Sequence, residues 1–470
     1  MKIGLVLDNP KRDLNGLLIL THELLKYGHQ VFIIPMYLQG YDFPWLELDG
    51  IVLNYMRPGN AALVKSFHDA GTRVYVLDTE GGILSSDGAD APENWAKSFR
   101  ASGFDRLIDG YFFWGTETHA AFQKLSGMKP EQLKITGCPR YDFCHPKWSG
   151  TLKFDRSDFV LINTNFSAIN PKFSRSPQDE KRAFFHAGWP EDYVDEILLN
   201  LHAVFPKYLE TIRRLAIDHP KQTFLIRPHP FENEPFYQEK FRDLSNVVVD
   251  GRGDVLNVIS RCRMMLHLNC GSSVETLLLA KPPVSMEFLN TAFLAKNTAL
   301  PSKLSICAHS YQELSKIIQS SDSEIAEQMK ARSDAYEKYV KPWFWKNDGM
   351  ASIRVAEAID ADLRQNGRNP QKNKPGFRSR ITSRANPSWA QTLQAAAMNF
   401  LGSRAGFQLR VGLNPALSAK FVTVETVQDR MNRISRFGQT GATEVRNFRH
   451  PLHRLPLSTI QITKRSDRHQ

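Results

Sequence analysis

Three short stretches group residue types that could handle a phosphorylated substrate. Arg227-Pro228-His229-Pro230 sets a guanidinium and an imidazole in four residues. The two prolines restrict the backbone and so fix where His229 points. Arg227 and His229 could both contact phosphate oxygens, with Pro230 closing the turn, and His229 could protonate a leaving phosphate. Asn269-Cys270-Gly271-Ser272-Ser273-Val274-Glu275 lies where an apolar run gives way to helical spacing. Free backbone N–H groups and the helix dipole make such a start receptive to anions. Ser272 and Ser273 add hydroxyls beside Gly271, and Glu275 could accept from ribose hydroxyls. Asp78-Thr79-Glu80-Gly81-Gly82 places acids against paired glycines that permit a sharp turn and a close backbone approach. There Glu80 could take a proton from an acceptor hydroxyl. Plainer readings are a stiff turn with a solvated arginine, ordinary helix N-capping, and an acidic loop facing water. The three together, an acid in one half and two phosphate-directed turns in the other, form the layout that group transfer needs.

Each stretch follows an apolar run with strand character. In the first half KIGLVLD, HQVFIIP, DGIVLNY, TRVYVLD and GYFFWG alternate with helical spacing at Leu14–Tyr27, Ala61–Ala70 and after Thr116. Strands alternating with helices indicate parallel βαβ units, and continuous apolar strands such as VYVL indicate a sheet covered on both faces. A second series begins near Asp158. DFVLINTNF, QTFLIRPHP, NVVVD, RMMLHLN and PPVSMEFL are its strands, and helical spacing runs from about Glu191 to His219 and again through 311–366. Ligands of such sheets bind beyond the carboxyl ends of the strands. The fold expected is α/β, two doubly wound Rossmann-like domains facing across a cleft. Residues 1–150 form the acceptor side, 151–346 the nucleotide-sugar side, and 347–365 a helix crossing back between the lobes. Asp8, at the end of the first strand, joins Asp78, Gly81 and Gly82 on the acceptor side.

The 470 residues carry a formal charge of +11, distributed unevenly. From Gln365 onward there are 18 Lys and Arg against 4 Asp and Glu, which leaves the rest slightly acidic. Residues 366–470 therefore read as a basic, largely disordered tail. It could be drawn to an anionic membrane surface, touch nucleic acid non-specifically, or be a solvated extension with no partner; no specific nucleic acid is expected. The five cysteines have no zinc-ligand spacing, and His and Cys are scattered, so no metal is expected. No apolar run is long enough to cross a bilayer, and MKIGLVLD reads as a buried strand rather than a signal peptide. The expected location is the cytoplasm or the inner face of the cytoplasmic membrane. His267 reads as a satisfied core histidine, and Trp343-Phe344-Trp345 as packing.

The chain resembles bacterial surface carbohydrate biosynthesis proteins of the GT-B type. More distantly it resembles bacterial sialyltransferases, capsule Kdo transferases and CDP-glycerol glycerophosphotransferases. The matching pairs are Glu80-Gly81, His229-Pro230 and Ser272-Ser273. Around them, TGCPRYD (Thr136–Asp142), LIRPHPFE (Leu225–Glu232) and LNCGSSVETLLLAKPPVS (Leu268–Ser285) resemble the family's recognisable segments. The resemblance spans about residues 1–365. It implies a metal-independent, cofactor-free glycosyltransferase with Glu80 as general base and His229, Ser272 and Ser273 on the donor phosphate. The implied donor is a CMP-linked 2-keto sugar acid, and the implied acceptor a cell-surface polysaccharide or lipid-linked glycan. Thr79 stands where those motifs carry a second acid, so Asp78 is the alternative acid. Three other functions fit the same fold: a non-hydrolysing sugar-nucleotide epimerase, a CDP-glycerol-type phosphotransferase and a non-catalytic polysaccharide-assembly protein.

Overall fold

The computed structural model describes residues 1–79, 91–152, 158–173, 177–186, 190–332, 334, 336–367, 389, 393, 397, 420–438, 441–451 and 454–465. It is α/β and divides into two compact units. One takes in the described residues through Thr151 and those from Trp343 onward; the other spans Leu152–Pro342.

The first unit is built on an eight-stranded sheet. Its parallel strands are β1 (Lys2–Leu7), β2 (Gln30–Pro35), β3 (Gly50–Leu53), β4 (Arg73–Val76), β5 (Gly110–Phe113) and β6 (Leu133–Ile135), in the order β2-β1-β3-β4-β5-β6. All but β6 lie within the apolar runs of the first half. β6 has one fully buried position, Leu133, and so gives too short an apolar run to stand out. Strand order reverses between β1 and β3, the position where doubly wound sheets generally form a crevice. Ile3, Leu5, Ile33, Ile51, Val74 and Val76 are fully enclosed, as helices on both faces require.

The second unit holds a six-stranded, all-parallel sheet. Its strands are β7 (Phe159–Asn163), β8 (Thr223–Arg227), β9 (Val247–Val249), β10 (Met264–His267), β11 (Pro283–Ser285) and β12 (Ile306–Cys307). Their order is β12-β11-β10-β7-β8-β9, so the reversal falls between β7 and β10. The long helix Glu191–Asp218 buries Val204, Tyr208, Ile212 and Leu215 against Val160, Ile162, Phe224 and Ile226 of the sheet. That spacing is one face of a helix.

The helix Ala351–Asn366 belongs to the first unit. Asp362 pairs with Arg73 at 2.6 Å and accepts from the Tyr75 hydroxyl at 2.6 Å. Its start lacks a side-chain cap of its own. Asp142 serves instead: its carboxylate accepts the Ala351 and Ser352 N–H groups at 2.9 and 2.8 Å. The closing part of the TGCPRYD segment is thus a remote helix cap.

The expectation of a largely disordered tail over 366–470 fails for residues 420–438, 441–451 and 454–465. The helix Val424–Gly438 buries Val427, Met431 and Ile434, spaced as one helical face. β13 (Thr443–Arg449) and β14 (Pro456–Lys464) form an antiparallel hairpin, and β14 adds antiparallel to β2, with Ile460 opposite Ile33. Composition averaged over the whole basic stretch hid this piece. Leu457, Ile460 and Ile462 are fully buried, and the arginines sit at the helix surface and on the edge strand. The helical candidate Trp389–Leu401 lies largely outside the described residues.

Candidate functional site

In the second unit, the loops after β7, β8 and β10 meet at the strand-order reversal. The residues linking them are Thr164 and Asn165, directly after β7. Thr164 Oγ1 accepts the His229 N–H at 3.2 Å and donates to Glu232 at 2.7 Å. Asn165 Nδ2 donates to the Asn269 carbonyl at 3.3 Å. One short loop therefore ties the RPHP turn, on one side, to the NCGSS turn, on the other.

The RPHP turn hangs on Glu232, which is buried. Its carboxylate accepts from Thr164, from the Phe166 N–H at 2.7 Å and from the Tyr237 hydroxyl at 2.5 Å. Burial pushes this carboxyl above its usual range, while the hydrogen bonds pull the other way. The Glu232 N–H in turn donates to the His229 carbonyl at 2.8 Å. The imidazole of His229 is half-buried, and its Nδ1 accepts the Phe231 N–H in a long 3.4 Å contact. In a neutral ring that leaves the proton on Nε2, the donor form suited to a phosphate oxygen. Arg227 is placed differently from expectation. It is buried, and its Nη1 and Nη2 donate to the Arg252 and Gly253 carbonyls at 2.7 and 2.8 Å. These bonds hold the loop after β9, so Arg227 supports the site and is not turned out toward a ligand.

The NCGSS turn starts at Asn269, whose φ of 52° is left-handed, a conformation asparagine tolerates. A reciprocal amide pair with Asn290, at 2.9 and 3.1 Å, holds it there. His267, at the end of β10, is fully buried. Its Nε2 lies 2.8 Å from Ser305 Oγ, and Ser305 donates onward to the Pro301 carbonyl, so the imidazole is the donor. Its Nδ1 accepts the Cys270 N–H at 3.4 Å. Burial lowers its pKa to about 4, as a core histidine without room for a second proton should show. Gly271 and Ser272 are partly exposed, and Ser272 makes no side-chain cap to the helix Ser273–Leu278. Ser273 and Glu275 are buried, and no partner for the Ser273 hydroxyl occurs among the described residues. Burial raises the Cys270 thiol, so it rests as a thiol and not as a nucleophilic thiolate.

In the first unit, the residues at the reversal between β1 and β3 line a small cavity of about 30 Å³. Asp13, Asn54, Asp78, Thr79, Trp114 and Arg140 contribute to its wall. Asp78 is buried and committed: Arg57 Nη1 stands 3.0 Å from its carboxylate and the Tyr111 hydroxyl 3.4 Å away. Arg57 itself stacks over the Trp95 ring at 4.5 Å. Arg140 lies over the Trp114 and Tyr141 rings, 5.4 and 4.8 Å from their centroids. A Cβ on Gly16 would come within 2.8 Å of the Arg140 backbone nitrogen, so glycine sets how closely the helix Leu14–Lys26 approaches this turn. Asp8 bonds Arg12 at 2.9 Å and, from the C-terminal segment, Lys420 at 2.6 Å. Glu80, Gly81 and Gly82 lie outside the described residues. Sequence reasoning missed Glu232, Thr164, Arg57, Asp13 and Trp114. Asp13 directly after Arg12, and the TGCPRYD segment with its arginine, were the signals available.

Fold and site together define an α/β protein with two parallel-sheet units, each gathering polar residues where its strand order reverses. No family model matches the chain, and no curated protein does. Among solved structures it is similar to a putative UDP-N-acetylglucosamine 2-epimerase from Listeria monocytogenes, at 12% identity and TM-score 0.46, over 78% of this chain and 98% of that one. It is similar to the UDP-GlcNAc 2-epimerase from Neisseria meningitidis bound to UDP-GlcNAc, at 14% and 0.45, over 77% and 100%. It is also similar to the wall teichoic acid polymerase TagF, at 11% and 0.47, over 77% and 89%.

Proposed function

We propose that the chain is a nucleotide-sugar-dependent transferase. In this reading it moves a sugar from an activated donor onto a bacterial surface polysaccharide or lipid-linked glycan, as the resemblance of its motifs implies. The observation that carries the reading is the bridging pair Thr164–Asn165, which joins the His229 turn and the Gly271–Ser272 turn at one strand-order reversal. A diphosphate or phosphate held there would meet the Nε2–H of His229 on one side. It would meet the backbone N–H groups and hydroxyl of Gly271 and Ser272 on the other. Those contacts are strongest when negative charge builds on the leaving phosphate, which is when they lower the barrier. Glu232 keeps His229 in place and does not touch substrate. Glu80 is assigned proton removal from the acceptor hydroxyl, with Asp78 the alternative. Asp78 is already engaged by Arg57 and the Tyr111 hydroxyl, which favours Glu80 for that role.

The donor assigned is a CMP-linked 2-keto sugar acid. The reading involves no metal and no cofactor. The enzyme would act in the cytoplasm or against the inner membrane face. None of the helices among the described residues is long and apolar enough to cross a membrane.

Turnover of CMP-linked sugars by the full chain, with and without acceptor glycans, tests the reading. Acceptor-dependent release of the nucleotide, reduced at least a hundredfold in His229→Ala and in Glu80→Ala, is the expected outcome. Conversion of a nucleotide sugar without any acceptor would replace it with epimerase chemistry.

A further inference from the structure

In the first unit, the C-terminal hairpin borders a cavity of about 660 Å³. Arg446, Asn447 and Arg449 of β13, Arg454, Gln461 of β14, and Glu425 all line it. Arg446 and Arg449 are three positions apart, so a regular strand would send them to opposite faces. The pairing of β13 with β14 is irregular between Asn447 and Arg449, with the extra residues on β14, and Arg446 and Arg449 are both exposed and both line the cavity. Two of the guanidiniums are braced. Arg446 Nε donates to Gln461 at 3.0 Å and its Nη1 to Glu444 at 3.4 Å, while Arg449 Nη1 donates to the Arg454 carbonyl at 3.2 Å. Arg454 sits at a left-handed φ of 60°, and its guanidinium makes no hydrogen bond or ion pair among the described residues. Charged residues on an edge strand deter strand pairing. That role does not require three arginines around one concavity whose described lining holds a single acid, Glu425.

We propose that this hairpin cavity binds a phosphate-bearing group. Guanidinium forks match phosphate oxygens in pairs, and converging arginines gain most from a divalent anion that relieves their mutual repulsion. The volume suits a lipid headgroup or a soluble pyrophosphate-containing compound. Both present the same chemistry to the arginines.

The test uses the full chain in the His229→Ala background, so that binding at the second-unit turns does not contribute. One arm titrates inorganic pyrophosphate, read by calorimetry at fixed ionic strength. The other sediments the protein with phosphatidylglycerol vesicles, with phosphatidylcholine vesicles as reference. Binding in at least one arm is expected, weakened about tenfold by Arg454→Gln, which loses one charge-assisted pair. The triple change Arg446→Gln, Arg449→Gln and Arg454→Gln should abolish it. Pyrophosphate binding without vesicle binding identifies a soluble ligand, and vesicle binding identifies a headgroup. No binding in either arm, or binding that Arg454→Gln leaves unchanged, overturns the proposal. Arg454→Gln alone decides if the triple variant does not fold.

Discussion

At the scale of single residues, two buried groups set the geometry of the proposed donor turns. Glu232 accepts three hydrogen bonds away from water, so Glu232→Ala strands Thr164, Tyr237 and the Phe166 N–H together. Losing such a network should lower unfolding stability by about 3 kcal/mol in denaturant titration, whereas Glu232→Gln, which keeps the shape, should lose less. His267 gives a pH signature. Its folded pKa, about 4, is lower than its ordinary value of 6.5. The unfolded chain therefore binds a proton that the folded chain refuses as pH falls from about 6.5 to about 4. Stability is lost across that window, by roughly 3 kcal/mol from this group. His22, buried in the first unit and likewise lowered to about 4 by burial, adds a loss of the same sign. Denaturant melts at pH 7 and pH 4.5 should show a smaller acid loss for His267→Asn than for the native chain. An equal loss in both would mean that this histidine does not couple to acid unfolding.

At the scale of elements, several motif residues serve as scaffold. Asp142 caps the helix Ala351–Asn366 from across more than two hundred residues of sequence, so Asp142→Ala should destabilise the first unit by about 1–2 kcal/mol in thermal or denaturant unfolding. The helix Val424–Gly438 ends over His22, and a Cβ on Gly438 would collide with that imidazole. Gly438→Ala should therefore loosen the C-terminal segment, seen as faster amide exchange across β14. Unchanged exchange there would show that the contact yields easily. Strands with unbroken apolar runs were legible because a doubly covered sheet demands them: VYVL and MMLH could hardly be anything else. β6 and β12 were not, being too short to carry a pattern. β13 and β14 were hidden by flanking arginines that dominate composition without entering the core.

At the scale of the whole molecule, the sequence announced two α/β halves and the position of the His229 and Ser272 turns, because glycines, prolines and strand ends mark them directly. It could not announce that Arg227 turns onto two carbonyls, that Asp78 is paired with Arg57, or that Ser273 is buried. Those outcomes depend on partners distant in sequence, and no local pattern encodes them. The basic charge of the C-terminal stretch is in part a structured feature, gathered around the hairpin cavity. The central claim is that the two turns joined by Thr164 and Asn165 hold the phosphate of a nucleotide donor. The most direct measurement is thermal unfolding of the full chain and of His229→Ala against CMP, CDP and UDP. A folded-state ligand raises the melting temperature by mass action. The account predicts a rise with a cytidine nucleotide that His229→Ala removes while its unliganded melting temperature stays the same. An unshifted melting temperature with every nucleotide, or a shift that persists in His229→Ala, would contradict it.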